Sequence, residues 1–122
     1  DAFNETHRIK IGCEMPPIEL DIDTAVPVGL IANELLTNAL KYAFPEKDNG
    51  EIKISLQRTV HENELELCVA DNGIGKPTNG TAKGTGFGTE LINLLVRQLE
   101  GRLSVENAHG TQVKIYFPYM HH

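Results

Sequence analysis

A chain of 122 residues, 40% apolar and 23% charged, has room for one core and the composition of an ordinary globular protein. A formal charge of −6 argues against a nucleic-acid binder, which needs a basic surface, and no apolar run reaches the roughly 20 residues that cross a bilayer. A local anion site built from backbone amides stays open, because it needs no net positive charge. The chain begins without Met and closes on His121-His122. We read residues 1–120 as one domain excised from a longer protein, and 121–122 as a tag remnant. Cys13 and Cys68 match no metal spacing and are expected as free, buried thiols in a reducing cytoplasm.

His7–Cys13 alternates polar and apolar residues and is expected as a strand, with Ile18–Ile22 a shorter second one beyond Pro16-Pro17. From Thr24 to Ala43 the period becomes helical, with Pro27 in the first turn, where a missing N–H costs nothing. Its apolar residues cover most of the circumference, so the helix is expected to be largely buried. Phe44-Pro45 ends it and Asp48-Asn49-Gly50 reads as a turn. Ile52, Ile54, Leu56 and then Leu65, Leu67, Val69 keep period two around His61-Glu62-Asn63, which predicts an antiparallel hairpin. Residues 71–88 read as a loop. Gly88–Glu100 is a second helix with Gly101 as its stop, and strands at Arg102–Asn107 and Thr111–Phe117 follow. This order lacks regular βαβ alternation. It predicts an α+β fold: a two-layer sandwich of one mixed, mostly antiparallel sheet with helices on one face.

Three constellations carry chemistry. On the first helix, Glu34, Asn38 and Lys41 stand at i, i+4 and i+7 along one edge. Such a row reads equally as a solvated stripe. Asn is a poor choice inside a helix, however, and here it sets an oxygen ligand for a hard cation between a carboxylate and an ammonium. The second is Asp71-Asn72-Gly73-Ile74-Gly75, directly after a strand. Asp-Asn-Gly is also a common turn. A turn alone does not explain why six of the eleven glycines fall between Gly73 and Gly88. A carboxylate at a strand end can accept from an exocyclic amine, and glycines beside it let a flat base approach. The third, Gly84-Thr85-Gly86-Phe87-Gly88, runs into a helix whose N-terminus offers amides to phosphate. It is neither a Walker A loop nor a dinucleotide fingerprint.

In this order the three motifs resemble the GHKL ATPase/kinase superfamily, with its Bergerat fold, and most closely the catalytic ATP-binding domain of sensor histidine kinases. Asn33–Tyr42 is similar to the N-box, Asp71–Gly75 to the G1 box, Gly84–Gly88 to the G2 box, and Gly110-Thr111 to the short element before the last strand. The resemblance spans about Ile18 to Pro118. It implies that Asp71 accepts from the adenine amino group with support from Thr111 through water, and that Gly73, Ile74 and Gly75 line the base. It implies Asn38 as the Mg²⁺ ligand, Lys41 near the phosphates and Tyr42 beside the nucleotide. Gly84, Thr85, Gly86 and Gly88 would close over the phosphates as a lid hinge, with Phe87 its anchor on the core. Glu34 would orient or deprotonate the nucleophile. Glu34 stands where many histidine kinases have Asn, in the manner of a subgroup with the run Glu-Leu-x-Thr-Asn-Ala. Only Lys76 to Lys83 separate the glycine boxes, with no F-box.

The resemblance therefore implies transfer of the γ-phosphoryl group of Mg-ATP to a histidine on a separate phosphoacceptor domain. A homodimeric parent kinase, a response regulator and no nucleic acid complete the implied partners. His7, His61 and His109 lie in strand or turn contexts and are not read as phosphoacceptors. A serine kinase of the anti-sigma switch type, an ATP-hydrolysing clamp using Glu34, and a module that only binds ATP are the alternatives.

Overall fold

The computed structural model describes residues 8–44, 49–61, 63–73, 87–107 and 109–119. They form β1 (Arg8–Glu14), α1 (Ile22–Tyr42), β2 (Asn49–Arg58), β3 (Glu64–Asp71), α2 (Phe87–Gln98), β4 (Arg102–Glu106) and β5 (Thr111–Pro118). The strands make one sheet in the order β1-β2-β3-β5-β4. β1 runs parallel to β2 and every other pair is antiparallel, so the sheet is mixed as expected.

Period two decides which residues enter the core. Ile54 faces Val69 and Leu56 faces Leu67 across the β2–β3 pair; Leu67 and Leu65 in turn face Ile115 and Phe117 of β5. All are buried under the two helices, with Ile31 of α1 and Ile92, Leu95, Val96 and Leu99 of α2 and its end. Burying each such side chain contributes roughly 1.5–3 kcal/mol. The alternate residues make a polar outer face. Lys53 pairs with Glu14 at 3.3 Å, Gln57 donates to Glu66 at 3.1 Å, and Arg102 lies over the Tyr116 ring at 4.3 Å.

Several elements differ from expectation. Ile18–Ile22 is not a strand: the segment makes no ladder, and Ile18 and Leu20 only lean on the core. Asp21 is the reason the helix starts so early, since its Oδ1 accepts from the Thr24 N–H at 3.1 Å as an N-cap. Pro27 consequently sits in the second turn of α1, buried, rather than in the first. α1 is also less buried than its composition suggests: Ile22, Val26, Leu30 and Leu40 are exposed, because the sheet and α2 cover only one side of it. Asn49 and Gly50 belong to β2, where they pair with Arg8 and Ile9 of β1, rather than to a turn. The turn of the β2–β3 hairpin contains His61 and Asn63 (φ 63°) as read. Of the two free thiols, Cys68 is buried while Cys13 is exposed.

The C-terminus of α2 also departs from the glycine rule. Gly101 N–H donates to Val96 O at 2.9 Å and Glu100 N–H to Arg97 O at 2.9 Å, a Schellman pair in which Glu100 takes the left-handed conformation (φ 58°). Gly101 is glycine for a different reason. A Cβ there would meet the Tyr116 carbonyl and lie 3.2 Å from Phe117 Cβ, because β5 passes close by.

Candidate functional site

The alternation of β3 does not stop at its apolar residues. Leu65, Leu67 and Val69 face the helices, and Asp71 is next in the same phase, opposite Ile52 on one side and Thr111 on the other. A carboxylate thus stands at a core-facing position at the end of the central strand, half-buried. Its Oδ1 accepts from the Gly73 N–H at 2.8 Å and, at a longer 3.4 Å, from the Thr111 N–H. Two backbone donors from different segments fix its plane.

Asn72 holds the turn in place. Its Oδ1 accepts from the Glu51 N–H at 2.9 Å and its own N–H donates to Glu51 O at 3.2 Å, a two-point clamp on β2. This role was not assigned from sequence. Its signal is an amide directly after a strand-end carboxylate, a side chain suited to mimic a backbone rung. Gly73 is pressed against the end of α1, where an added Cβ would run into the Ala43 carbonyl and lie 2.7 Å from Ala43 Cβ. Gly110 (φ 110°) takes a conformation that side chains rarely adopt, and an added Cβ there would run into the Asp71 carbonyl oxygen. The support from Thr111 comes from its backbone. Its buried hydroxyl pairs with Asn107 Oδ1 at 3.4 Å.

From Ala43 the row of α1 leads away from Asp71. Tyr42 and Lys41 are exposed, and Asn38 and Glu34 are half-buried. Nine residues of helix, about 14 Å, separate Glu34 from Ala43. At that far end lies α2: Gly88, in its first turn and buried, is so close to Glu34 that a Cβ would collide with the carboxylate. The structure therefore joins Asp71, Gly73 and Thr111 at one end of α1, and Glu34 and Gly88 at the other. Asn38, Lys41 and Tyr42 lie on the turns between. Ile74, Gly75, Gly84, Thr85 and Gly86, with the rest of the 74–86 loop, fall outside the described residues, as does His7. Phe87 opens α2, but its side chain is likewise outside the description.

Such an arrangement can receive a long ligand with an amine-bearing end and an anionic end. The fixed Asp71 carboxylate takes hydrogen-bond donors, while the α2 N-terminus and Lys41 favour negative charge. The shallow depression formed by Arg58, Thr59, Val60, His61 and Tyr119 lies at the other end of β3, roughly 24 Å from Asp71 at the usual rise per residue. It too includes a carboxylate, that of Glu64, but one already engaged by Thr59 and Arg102. No helix among the described residues is long and apolar enough to cross a membrane.

Comparison with known proteins places this geometry. A profile of the histidine kinase-, DNA gyrase B-, and HSP90-like ATPases matches residues 23–121. Blue-light-activated histidine kinase 2 of Erythrobacter litoralis (strain HTCC2594) is 30% identical over 112 residues, which are 90% of this chain and 32% of that protein. A sensor protein NarQ homolog of Haemophilus influenzae is 32% identical over 116 residues, 93% of this chain and 19% of that protein. The solved histidine kinase domain of the Erythrobacter litoralis EL346 blue-light activated kinase superposes with a TM-score of 0.81 at 28% identity, over 96% of this chain and 54% of that one. The chain thus spans about a third or less of these curated relatives and about half of the solved domain. With the family profile covering most of its length and the fold shared, the chain belongs to the histidine kinase-, DNA gyrase B-, and HSP90-like ATPases.

Proposed function

We propose that residues 1–120 are the catalytic domain of a two-component sensor kinase, which binds Mg-ATP and transfers its γ-phosphoryl group to a histidine on a separate phosphoacceptor domain. The observation that carries this reading is Asp71: a core-facing carboxylate held only by backbone amides among the described residues, at the head of the Lys41–Asn38–Glu34 row. The relatives named as histidine kinases support the acceptor. A homodimeric parent that passes the phosphoryl group to a response regulator, with this domain in the cytoplasm, follows from the same reading.

Asp71 accepts from the adenine amino group, with Gly73 making room beside Ala43. Among the described residues no three His, Cys, Asp or Glu side chains form a metal cluster, and the Glu34–Asn38–Lys41 row offers the amide oxygen of the half-buried Asn38. That donor set suits Mg²⁺, which keeps waters and phosphate oxygens as most of its ligands. When bound, Mg²⁺ would be held by Asn38 and would supply positive charge to neutralise the phosphates. Lys41 adds a second positive charge as the bond from γ-phosphorus to the ADP oxygen breaks and the bond to the imidazole nitrogen forms. Glu34 orients the imidazole or takes its proton.

The deciding experiment supplies the domain with labelled ATP and the phosphoacceptor domain of its parent. An acid-labile, base-stable phosphoprotein is expected. An acid-stable product would instead establish the serine kinase, and free phosphate without phosphoprotein an ATP-hydrolysing clamp. Labelled nucleotide bound but never cleaved would leave a binding module.

A further inference from the structure

Gly88 is an unexplained glycine. It is the second residue of α2 and has no left-handed φ, so its backbone tolerates any residue. What the position lacks is space. An added Cβ would collide with Glu34 Oε2 and stand 3.1 Å from its Cδ and 3.7 Å from its Cγ. Gly88 is itself buried, and Glu34 is half-buried against it. The first turn of a helix carries unpaired N–H groups and the positive end of the dipole, an environment that suits a carboxylate.

From this contact we infer that Gly88 is a positioning residue for Glu34: its missing side chain is the socket that seats the carboxylate against the first turn of α2. The inference rests on the role proposed above for Glu34 in transfer. It assigns Gly88 a task distinct from that of a lid hinge. A hinge glycine acts through its own backbone freedom, whatever stands at position 34. A socket acts through the volume left to one carboxylate, so its effect depends on the length of the acid facing it.

Four proteins test this: the parent domain, Gly88→Ala, Glu34→Asp and the double variant. Each is measured for nucleotide affinity, for transfer rate at saturating ATP with a phosphoacceptor domain supplied, and for melting temperature. The Glu34 carboxyl ¹³C signal is followed in the two proteins that retain Glu34. Gly88→Ala is expected to shift that signal and to slow transfer at saturating ATP about tenfold or more. Glu34→Asp withdraws the carboxylate by one methylene. Adding Gly88→Ala to it should therefore cost almost nothing more in rate or melting temperature, a coupling of about tenfold between the two changes. If Gly88→Ala does not fold, the double variant should, because the shorter acid vacates the space; failure of both overturns the inference. So does a product of the two single effects equal to the double, or an unmoved ¹³C signal. Glu34→Gln is the separate control on the underlying reading. Unchanged transfer in that variant removes Glu34 from the chemistry, while the ¹³C shift and the melting coupling still decide the seating.

Discussion

The two ends of β3 each carry an acidic residue, and they are used in opposite ways. Glu64 begins the strand. It accepts from the Thr59 hydroxyl at 2.7 Å and lies 3.8 Å from Arg102, on the polar outer face. Asp71 ends the strand an odd number of residues later, so it emerges on the other face, beneath the helices. There it meets backbone N–H groups of Gly73 and Thr111 and no cation among the described residues. The first carboxylate is satisfied by side chains of its own fold. The second is oriented by backbone donors alone among the described residues, as the proposed adenine contact requires. Parity alone thus sends one acid of the strand to the outer face and the other beneath the helices.

The comparison can be broken from the largest effect downward. Leu67→Ala, at the centre of the strand on the buried face, is expected to cost about 2–5 kcal/mol of unfolding free energy in chemical denaturation. A loss below 1 kcal/mol would mean that the face assignment, and with it the placement of Asp71, is wrong. Asp71→Asn keeps an oxygen for the Gly73 N–H but removes the charge. It should weaken ATP binding about 10–100-fold by calorimetry, the range expected for a charged hydrogen bond, with little change in melting temperature. Unchanged affinity would make Asp71 a turn residue and no more.

Outer-face chemistry should appear as a pH effect. Burial, and after it the charge of Glu66, pushes the Cys68 thiol above its ordinary value of 9.0. Desolvation and a hydrogen bond to Glu66 push Tyr116 up as well. A raised folded value means the native chain keeps a proton that the unfolded chain releases. The stabilising contribution is therefore complete below pH 9.0 and is lost as pH rises through the folded values. Melting temperature should fall above pH 9.0, and Cys68→Ala should flatten the first part of that fall. A curve of identical shape in the variant would exclude Cys68 as the source. The smallest effect belongs to Glu64→Gln, with less than about 1 kcal/mol of stability lost and nucleotide affinity unaltered, because its partner Arg102 is exposed and solvent screens the pair.

Much of this was legible before any coordinates. Two helices, the β2–β3 hairpin and the last two strands follow from periods of 3.6 and two, and the order of the glycine motifs is what suggests the proposed nucleotide site. What escaped the sequence was of another kind. Three alternating apolar residues at Ile18–Ile22 look the same whether a segment joins a ladder or merely leans on a core; only a partner strand decides. Glu100 rather than Gly101 takes the left-handed cap, since two hydrogen bonds over-determine it. The Glu34–Gly88 contact joins residues distant in sequence, so no local pattern announces it. Asn72 as a clamp required knowing that β2 lies beside the turn.

The parallel pairing of β1 with β2 has a kinetic consequence. β1 is an edge strand held by β2 alone and reaches it only after the whole of α1 has been laid down, whereas β3 is paired on both sides. Closing that loop carries an entropy cost that the β2–β3 hairpin avoids, and a single ladder repays it, so β1 should detach before the doubly paired β3. Native-state amide exchange would register this as faster opening of Ile9 and Ile11 than of Leu65 and Leu67. The central strand that carries Asp71 would then stay assembled while the β1 edge breathes.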